Sequence, residues 1–480
     1  MLQKKIELLL NTYLTFKSKK KYLNHKWINI LILLIILLLS YIYNNYSLWS
    51  IVLFLFLSIL TIDSFCNTIN IFRILAMYSI FIYLIAPLAG YHYFNLTNAI
   101  SKLWVMYMPI ESSAYFGYIF PSIVFFIIGT EILYNEKLVQ YSLSRLGPFL
   151  ASLQNSRIYQ YLIVFGVLGL IIVDYSPQVF KFTLYIVFLL LFPGILYLYF
   201  KPKLTRKDIL ILIFAIGWIF FSAIKSTMFT IVAYMGMSIS IFIFLKINLT
   251  FAKKALLFVI LSIFMVNLQF TKMFVRNAIH YKTERISNTL FLKRYITNFY
   301  TIIENFQPEL FFPVYVRVNQ GRLTGYVLKN IPSKMPYDKG DRLFKTIFSS
   351  FIPRLFWPDK PEAGGKFNMT YYANLKTEKA SMNVGPLGEA YGAFGRKGGI
   401  LFMFLYGLTL SFIFKLLIKQ AIRKPLLILW IPIIFFQAIY SMETDVMQAL
   451  NSIIKVSFFL WILFKIFPSL LDPKPRFVRL

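Results

Sequence analysis

Long apolar runs alternate with short polar connections along most of the chain, and each run is continuous rather than alternating in character. Twelve candidate spans can be marked: Trp27–Tyr43, Ser47–Ile62, Ile71–Tyr91, Phe116–Tyr134, Ile158–Val173, Phe182–Phe200, Asp208–Ile224, Thr227–Ile247, Ala255–Phe274, Gly399–Lys419, Pro425–Met442 and Ala449–Phe467. In hydrocarbon every backbone amide must bond within its own segment, so such runs predict helices. A membrane β-barrel would show alternating segments of about ten residues instead. The pattern breaks once, in a polar interval from Phe274 to Gly398. Three regions follow: a nine-span bundle over 1–273, a large loop over 274–398, and three spans with a tail over 399–480.

Composition agrees with this division. The chain is 58% hydrophobic and 14% charged, with a mean hydropathy of +0.67, which excludes an ordinary soluble domain. The expected class is an all-α polytopic membrane protein. No small-residue cleavage site follows the first run, so that run reads as a retained span. A single cysteine, Cys66, allows no intrachain disulfide.

The net charge of +31 would point to nucleic acid in a soluble protein. Here much of it flanks the spans, where lysine and arginine set orientation and meet membrane lipids. Lys201, Lys203, Arg206, Lys207, Lys246, Lys253, Lys254, Lys415, Lys419, Arg423, Lys424, Lys474, Arg476 and Arg479 share a side with the basic N-terminus, whereas Glu443 and Asp445 fall opposite. Both termini are therefore expected in the cytoplasm, with the large loop extracytoplasmic. That loop holds nineteen lysines and arginines against nine acidic residues, and this excess calls for an anionic partner.

Within the loop, Tyr295, Ile296, Phe299, Tyr300, Ile303 and Phe306 recur at helical spacing, as do Leu343, Phe344, Ile347, Phe348 and Phe351. Both stretches predict amphipathic helices lying on the membrane or capping the bundle. Prolines and glycines between them predict a shaped loop. The run Phe351-Ile-Pro-Arg-Leu-Phe-Trp-Pro-Asp-Lys-Pro361 is followed by Gly385-Pro-Leu-Gly-Glu-Ala-Tyr-Gly-Ala-Phe-Gly395. Glycines three and four apart allow close approach of helices or substrate. An acid among them, Glu389, is costly near a membrane unless paired or used.

These two segments resemble the Wzy-type oligosaccharide repeat-unit polymerases of bacterial O-antigen and capsule synthesis. The likeness covers some forty residues and elsewhere only the layout; Arg354, separated by ten residues from Gly365, matches an Arg–(ten)–Gly spacing discussed for some members. It implies a GT-C-like architecture in the bacterial inner membrane and a role in lipopolysaccharide and polysaccharide biosynthesis. The glycosyltransferase would move a growing glycan from undecaprenyl pyrophosphate onto a lipid-linked repeat unit. A chain-length regulator is a candidate partner. No cofactor is expected, and with no Asp-x-Asp signature in the loop the reaction is expected to be metal-independent. Arginine offers a permanent charge and a planar fork matched to phosphate oxygens. Arg354, with Lys360, is the expected grip on the pyrophosphate, and Arg276, Arg317 and Arg322 are further phosphate ligands. His280, one helical turn beyond Arg276, and Glu389 are alternative general bases. Two rivals stay open: an O-antigen ligase, and a flippase or transporter for lipid-linked glycans. Against the second stand the absence of an internal repeat and only Asp174 and Lys225 as near-intramembrane charges.

Overall fold

A computed structural model of the protein describes residues 26–65, 67–153, 156–173, 175–226, 230–247, 249–280, 288–304, 307–349, 351–352, 356–357, 359, 364–376 and 382–472. Every regular element among them is helical. The main helices are α1 (Lys26–Tyr43), α2 (Tyr46–Ser64), α3 (Ile71–His92, with a π-turn at Phe81–Ile85), α4 (Ser112–Leu133), α5 (Glu136–Ser152), α6 (Ile158–Val173), α7 (Gln178–Leu189), α8 (Leu191–Tyr199), α9 (Arg206–Ser226), α10 (Thr230–Phe244) and α11 (Phe251–His280). The loop contributes α12 (Asn288–Glu304), α13 (Phe312–Val318), α14 (Gly321–Asn330), α15 (Asp341–Ser349) and α16 (Gly365–Ala373). The chain closes with α17 (Gly385–Arg423) and α18 (Val446–Ile466).

Among the described residues, seven helices are long and apolar enough to cross a membrane: α1, α2, α3, α4, the Phe251–Lys272 part of α11, α17 and α18. Each coincides with a predicted span. Their starts are fixed locally. Asn45 and Asn70 accept the backbone N–H of Leu48 and Arg73 (3.1 and 3.2 Å), satisfying amides the first helical turn leaves unpaired.

The α4–α17 pair forms the central seam. A Cβ on Gly129 would lie 2.4 Å from the Phe404 carbonyl, and one on Gly407 equally close to that of Phe126. Small residues let the two backbones touch, the usual route to helix association in lipid. Ser411 donates across the seam to the Thr130 carbonyl (2.7 Å).

Two predicted spans are interrupted. The sixth breaks at Leu190 into α7 and α8, just before Pro193 and Gly194. The eleventh, Pro425–Met442, is a succession of 3-10 and short α turns: Pro425–Trp430, Ile431–Ile434, Phe436–Ile439 and Ser441–Glu443. Leu426 to Phe436 are buried throughout, so this irregular backbone is enclosed by protein, one of the settings in which it is tolerated at membrane depth. A buried charge pair also joins α3 to α4, Arg73 Nε lying 3.5 Å from Glu131 Oε1. Asp174 lies outside the described residues, as does the side chain of Lys225.

The loop is helical over most of both predicted stretches, but α15 ends at Ser349 and Phe351 lies in a turn beyond it, while Phe306 lies outside the described residues. In α12 and α15 the apolar residues split into two faces: Phe291 and Leu343 are buried, whereas Ile296, Tyr300, Phe344 and Phe348 are exposed.

Candidate functional site

The Gly-rich motif that the sequence places before a span is itself the first part of α17. At Gly395 the backbone leaves helical geometry (φ 68°, ψ −166°), so Gly385 to Phe394 form a half-helix bent away from the rest. Both ends of the half-helix require glycine. Gly385 has φ +73°, and a Cβ there would sit 2.0 Å from Tyr83 Oη and 2.8 Å from the Met442 carbonyl. Gly395 has φ +68°, with the Tyr337 ring 3.1 Å from where its Cβ would be.

Tyrosines tether this half-helix and the broken segment. Tyr118 donates to the Leu387 carbonyl (2.8 Å), Tyr83 to the Met442 carbonyl (2.6 Å) and Tyr115 to the Tyr83 carbonyl (2.9 Å). From the loop, Thr324 of α14 donates to the Val384 carbonyl (3.1 Å) and Asn330 to that of Tyr372 (3.0 Å). The start of α17, the turn 441–445, the start of α18 and helices α14–α16 therefore meet at one end of the bundle.

That junction is rich in charge. Glu389 is buried, and both its oxygens are engaged: Oε1 accepts from Asn368 Nδ2 (3.0 Å) and Oε2 from the Val446 amide (2.8 Å). It thus binds the half-helix to the N-terminus of α18, where the helix dipole favours a negative charge. Asp445 caps the same helix through the Gln448 amide and accepts from the Gly364 amide (3.0 Å). Burial pushes the Asp445 carboxyl up to about 6, with those two amides and the nearby Arg342 cation opposing the shift. Glu443 receives a two-pronged bond from Arg317 (3.0 and 2.7 Å) and a further bond from the Tyr78 hydroxyl.

Arg342 faces this group from α15. Its guanidinium carbon lies 3.6 Å from the Phe367 ring centre and 4.4 Å from that of Tyr371, contacts that a planar cation favours. Its charge opposes, without overcoming, the rise that burial imposes on the carboxyls of Asp338 and Asp445. Asp338 is the accessible member, half-buried, and accepts from the Gly340 amide (2.8 Å) and Tyr372 Oη (3.2 Å). Burial raises its carboxyl above the usual value, with the amide, the tyrosine and Arg342 pulling the other way. Burial also keeps the Tyr372 hydroxyl protonated far above its ordinary range, so it stays a donor to Asp338.

Of the residues singled out from sequence, Glu389 and Arg317 lie in this junction. Arg322 stands half-buried on α14, donating to the Val105 carbonyl (3.3 Å) and packing on the Tyr326 ring. Arg276 and His280 sit one turn apart on α11, which runs unbroken to His280. Arg354 and Lys360 lie outside the described residues. Sequence reasoning missed Arg342, Asp338 and Asp445 as site residues. The buried and half-buried carboxyls Asp338, Glu389, Glu443 and Asp445 outnumber the guanidiniums that face them, Arg317 and Arg342, so this inner group is not by itself an anion pocket; Lys339, Lys345 and Lys366 stand exposed around it. Nor, among the described residues, do three His, Cys, Asp or Glu side chains converge as a metal site needs.

Comparison of the chain with protein-family models, curated proteins and solved structures gives no match. What the protein does must be read from its own residues.

Proposed function

We propose that the protein is a membrane-embedded polymerase of lipid-linked oligosaccharide repeat units, a glycosyltransferase acting at the outer face of a bacterial inner membrane. In this reading the twelve predicted spans make a GT-C-like bundle with cytoplasmic termini, and the loop carries the chemistry. The observation that carries it is the accessible Asp338 carboxyl beside Arg342 and the half-buried Phe367 and Tyr371 rings. Carboxylates accept hydrogen bonds from sugar hydroxyls, and aromatic faces pack on the C–H faces of sugar rings. A carboxyl with a raised pKa is a better proton acceptor than an ordinary aspartate.

The step is a displacement at the donor's anomeric carbon. An acceptor hydroxyl oxygen forms the new bond, its proton passes to Asp338, and the bond to the undecaprenyl pyrophosphate oxygen breaks. Charge then develops on the pyrophosphate, and cations aimed there lower the barrier. The junction is too acidic to supply them alone, so that task falls to the segment bearing Arg354 and Lys360. Glu389 and Asp445 act as positioning residues, holding the half-helix and α18 together.

One feature favours a second reading: the broken, enclosed segment 425–445 is the kind of discontinuous helix from which transporters build substrate sites. A reconstituted assay separates the two. Purified full-length protein is given undecaprenyl-pyrophosphate repeat units without nucleotide sugar, and products are resolved by length. A ladder of lipid-linked oligomers, lost in a folded Asp338→Asn variant, supports the polymerase. Movement of lipid across liposomes without extension refutes it in favour of a flippase, and transfer only to a lipid A core acceptor refutes it in favour of a ligase.

A further inference from the structure

Residues of α1, α4 and α17, with Tyr46 at the start of α2, line an apolar groove of about 420 Å³. Leu34, Leu37, Leu38, Tyr41, Pro121 and Ile400 wall it, and Arg396 stands among them. The reason an arginine sits there is local. Pro121 lies inside α4 and has no N–H, so the Gly117 carbonyl four residues earlier loses its helical donor. Arg396 replaces that donor, bonding the Gly117 carbonyl through Nε (3.1 Å) and Nη2 (2.7 Å).

These bonds use two of the five N–H groups a guanidinium carries. Arg396 and Lys397 are both exposed, and neither forms an ion pair with a carboxylate among the described residues. The groove therefore joins a hydrocarbon-lined trough, open past the exposed Leu34, Leu38 and Tyr41, to the positive charge of Arg396, with Lys397 next in sequence but outside the groove's wall. Both cations follow the Gly395 bend, which places them where α17 turns from half-helix into span.

We propose that this groove holds one anionic phospholipid, one of its two acyl chains along Leu34, Leu38 and Ile400 and its phosphate on Arg396. An apolar chain and a single anionic head are the complement of an apolar wall ending in a cation that has no carboxylate partner among the described residues. The lipid would fasten Arg396 on the Gly117 carbonyl and so hold the bend that carries the half-helix. This site is independent of the polymerase reading, since the acidic junction is not part of it.

The test is native mass spectrometry of the full-length protein in detergent, titrated with phosphatidylglycerol or phosphatidylcholine of matched chains. Wild type should retain a single phosphatidylglycerol at least fivefold more than phosphatidylcholine. Arg396→Gln should bring that ratio near one. Leu38→Trp fills the groove from its bilayer-exposed wall, so the fold is not at risk, and should lose retention of both lipids. Equal retention by wild type, or undiminished retention in Leu38→Trp, overturns the proposal. So does displacement of phosphatidylglycerol by an equal amount of undecaprenyl phosphate, which would make the groove an isoprenoid site.

Discussion

Replacing Gly385 by alanine should break the link between the half-helix and the turn 441–445, and its cost can be worked from two independent sources. The backbone there has φ +73°, a left-handed conformation costing an L-residue roughly 1–2 kcal/mol. The new Cβ would also meet Tyr83 Oη at 2.0 Å and the Met442 carbonyl at 2.8 Å, and such overpacking costs about 1–3 kcal/mol. Together these give a destabilisation of about 2–5 kcal/mol. Tyr83→Phe removes the hydroxyl and with it the 2.6 Å bond to Met442, at a cost of about 0.5–1.5 kcal/mol. In the double variant the worst clash is gone, because the nearest remaining tyrosine atom is the ring carbon at 3.3 Å. The double should therefore be more stable than the sum of the singles by about 1–2 kcal/mol. Equilibrium denaturant titration of the purified chain in mixed micelles reads these values, and the polymerisation ladder read alongside should fall in Gly385→Ala. Strict additivity of the two substitutions would refute the placement of Tyr83 against Gly385.

Other outcomes follow from the charges. In the proposed polymerase Asp338 must be ionised to accept a proton, so polymerisation should fall as pH drops through a value above the ordinary 3.8 of aspartate. Arg342 lowers that carboxyl, so Arg342→Met should move the acid limb of the rate profile to higher pH; an unmoved limb would remove Asp338 from the chemistry. Asp445 is raised from 3.8 to about 6 on folding, so its contribution to stability is fully present below 3.8 and is lost as pH rises through about 6. Wild type should therefore resist unfolding better near pH 4.5 than near pH 7.5, by up to on the order of 2 kcal/mol from this group, and Asp445→Asn should shrink the difference. Removing either partner of the buried Arg73–Glu131 pair should cost about 3–5 kcal/mol, whereas the double change to methionines should cost less than either. A loss in the double equal to the sum of the two single losses would mean that no net attraction joins them.

What the sequence revealed depended on the range of the forces involved. Spans such as α1 and α4 declare themselves because each is apolar along its own length, and α15 because Leu343, Phe344, Ile347 and Phe348 repeat at helical spacing. Glu389 stood out because an acid among glycines is locally anomalous. Arg342 did not, being one of nineteen basic residues in the loop, and only the fold brings it to Phe367, Glu389 and Asp445. The break of the eleventh span was hidden for a similar reason. Pro425 and Pro432 mark weak points, but an apolar run of that length still reads as a helix, and its enclosure by neighbouring helices permits the irregular backbone.

The acidity of the junction then bears on how a polymerase would have to be arranged. A carboxyl beside a developing pyrophosphate charge would raise the barrier it is meant to lower, since like charges in a low dielectric repel strongly. Proton acceptance and leaving-group stabilisation must be held apart, with the acceptor sugar between them. Asp338, Tyr372 and the aromatic rings can serve the acceptor end, and the cations of the proline-rich segment the donor end. Arg342 fits neither role alone. Its place beside these carboxyls makes it their counter-charge, offsetting part of the rise that burial imposes on Asp338 and Asp445.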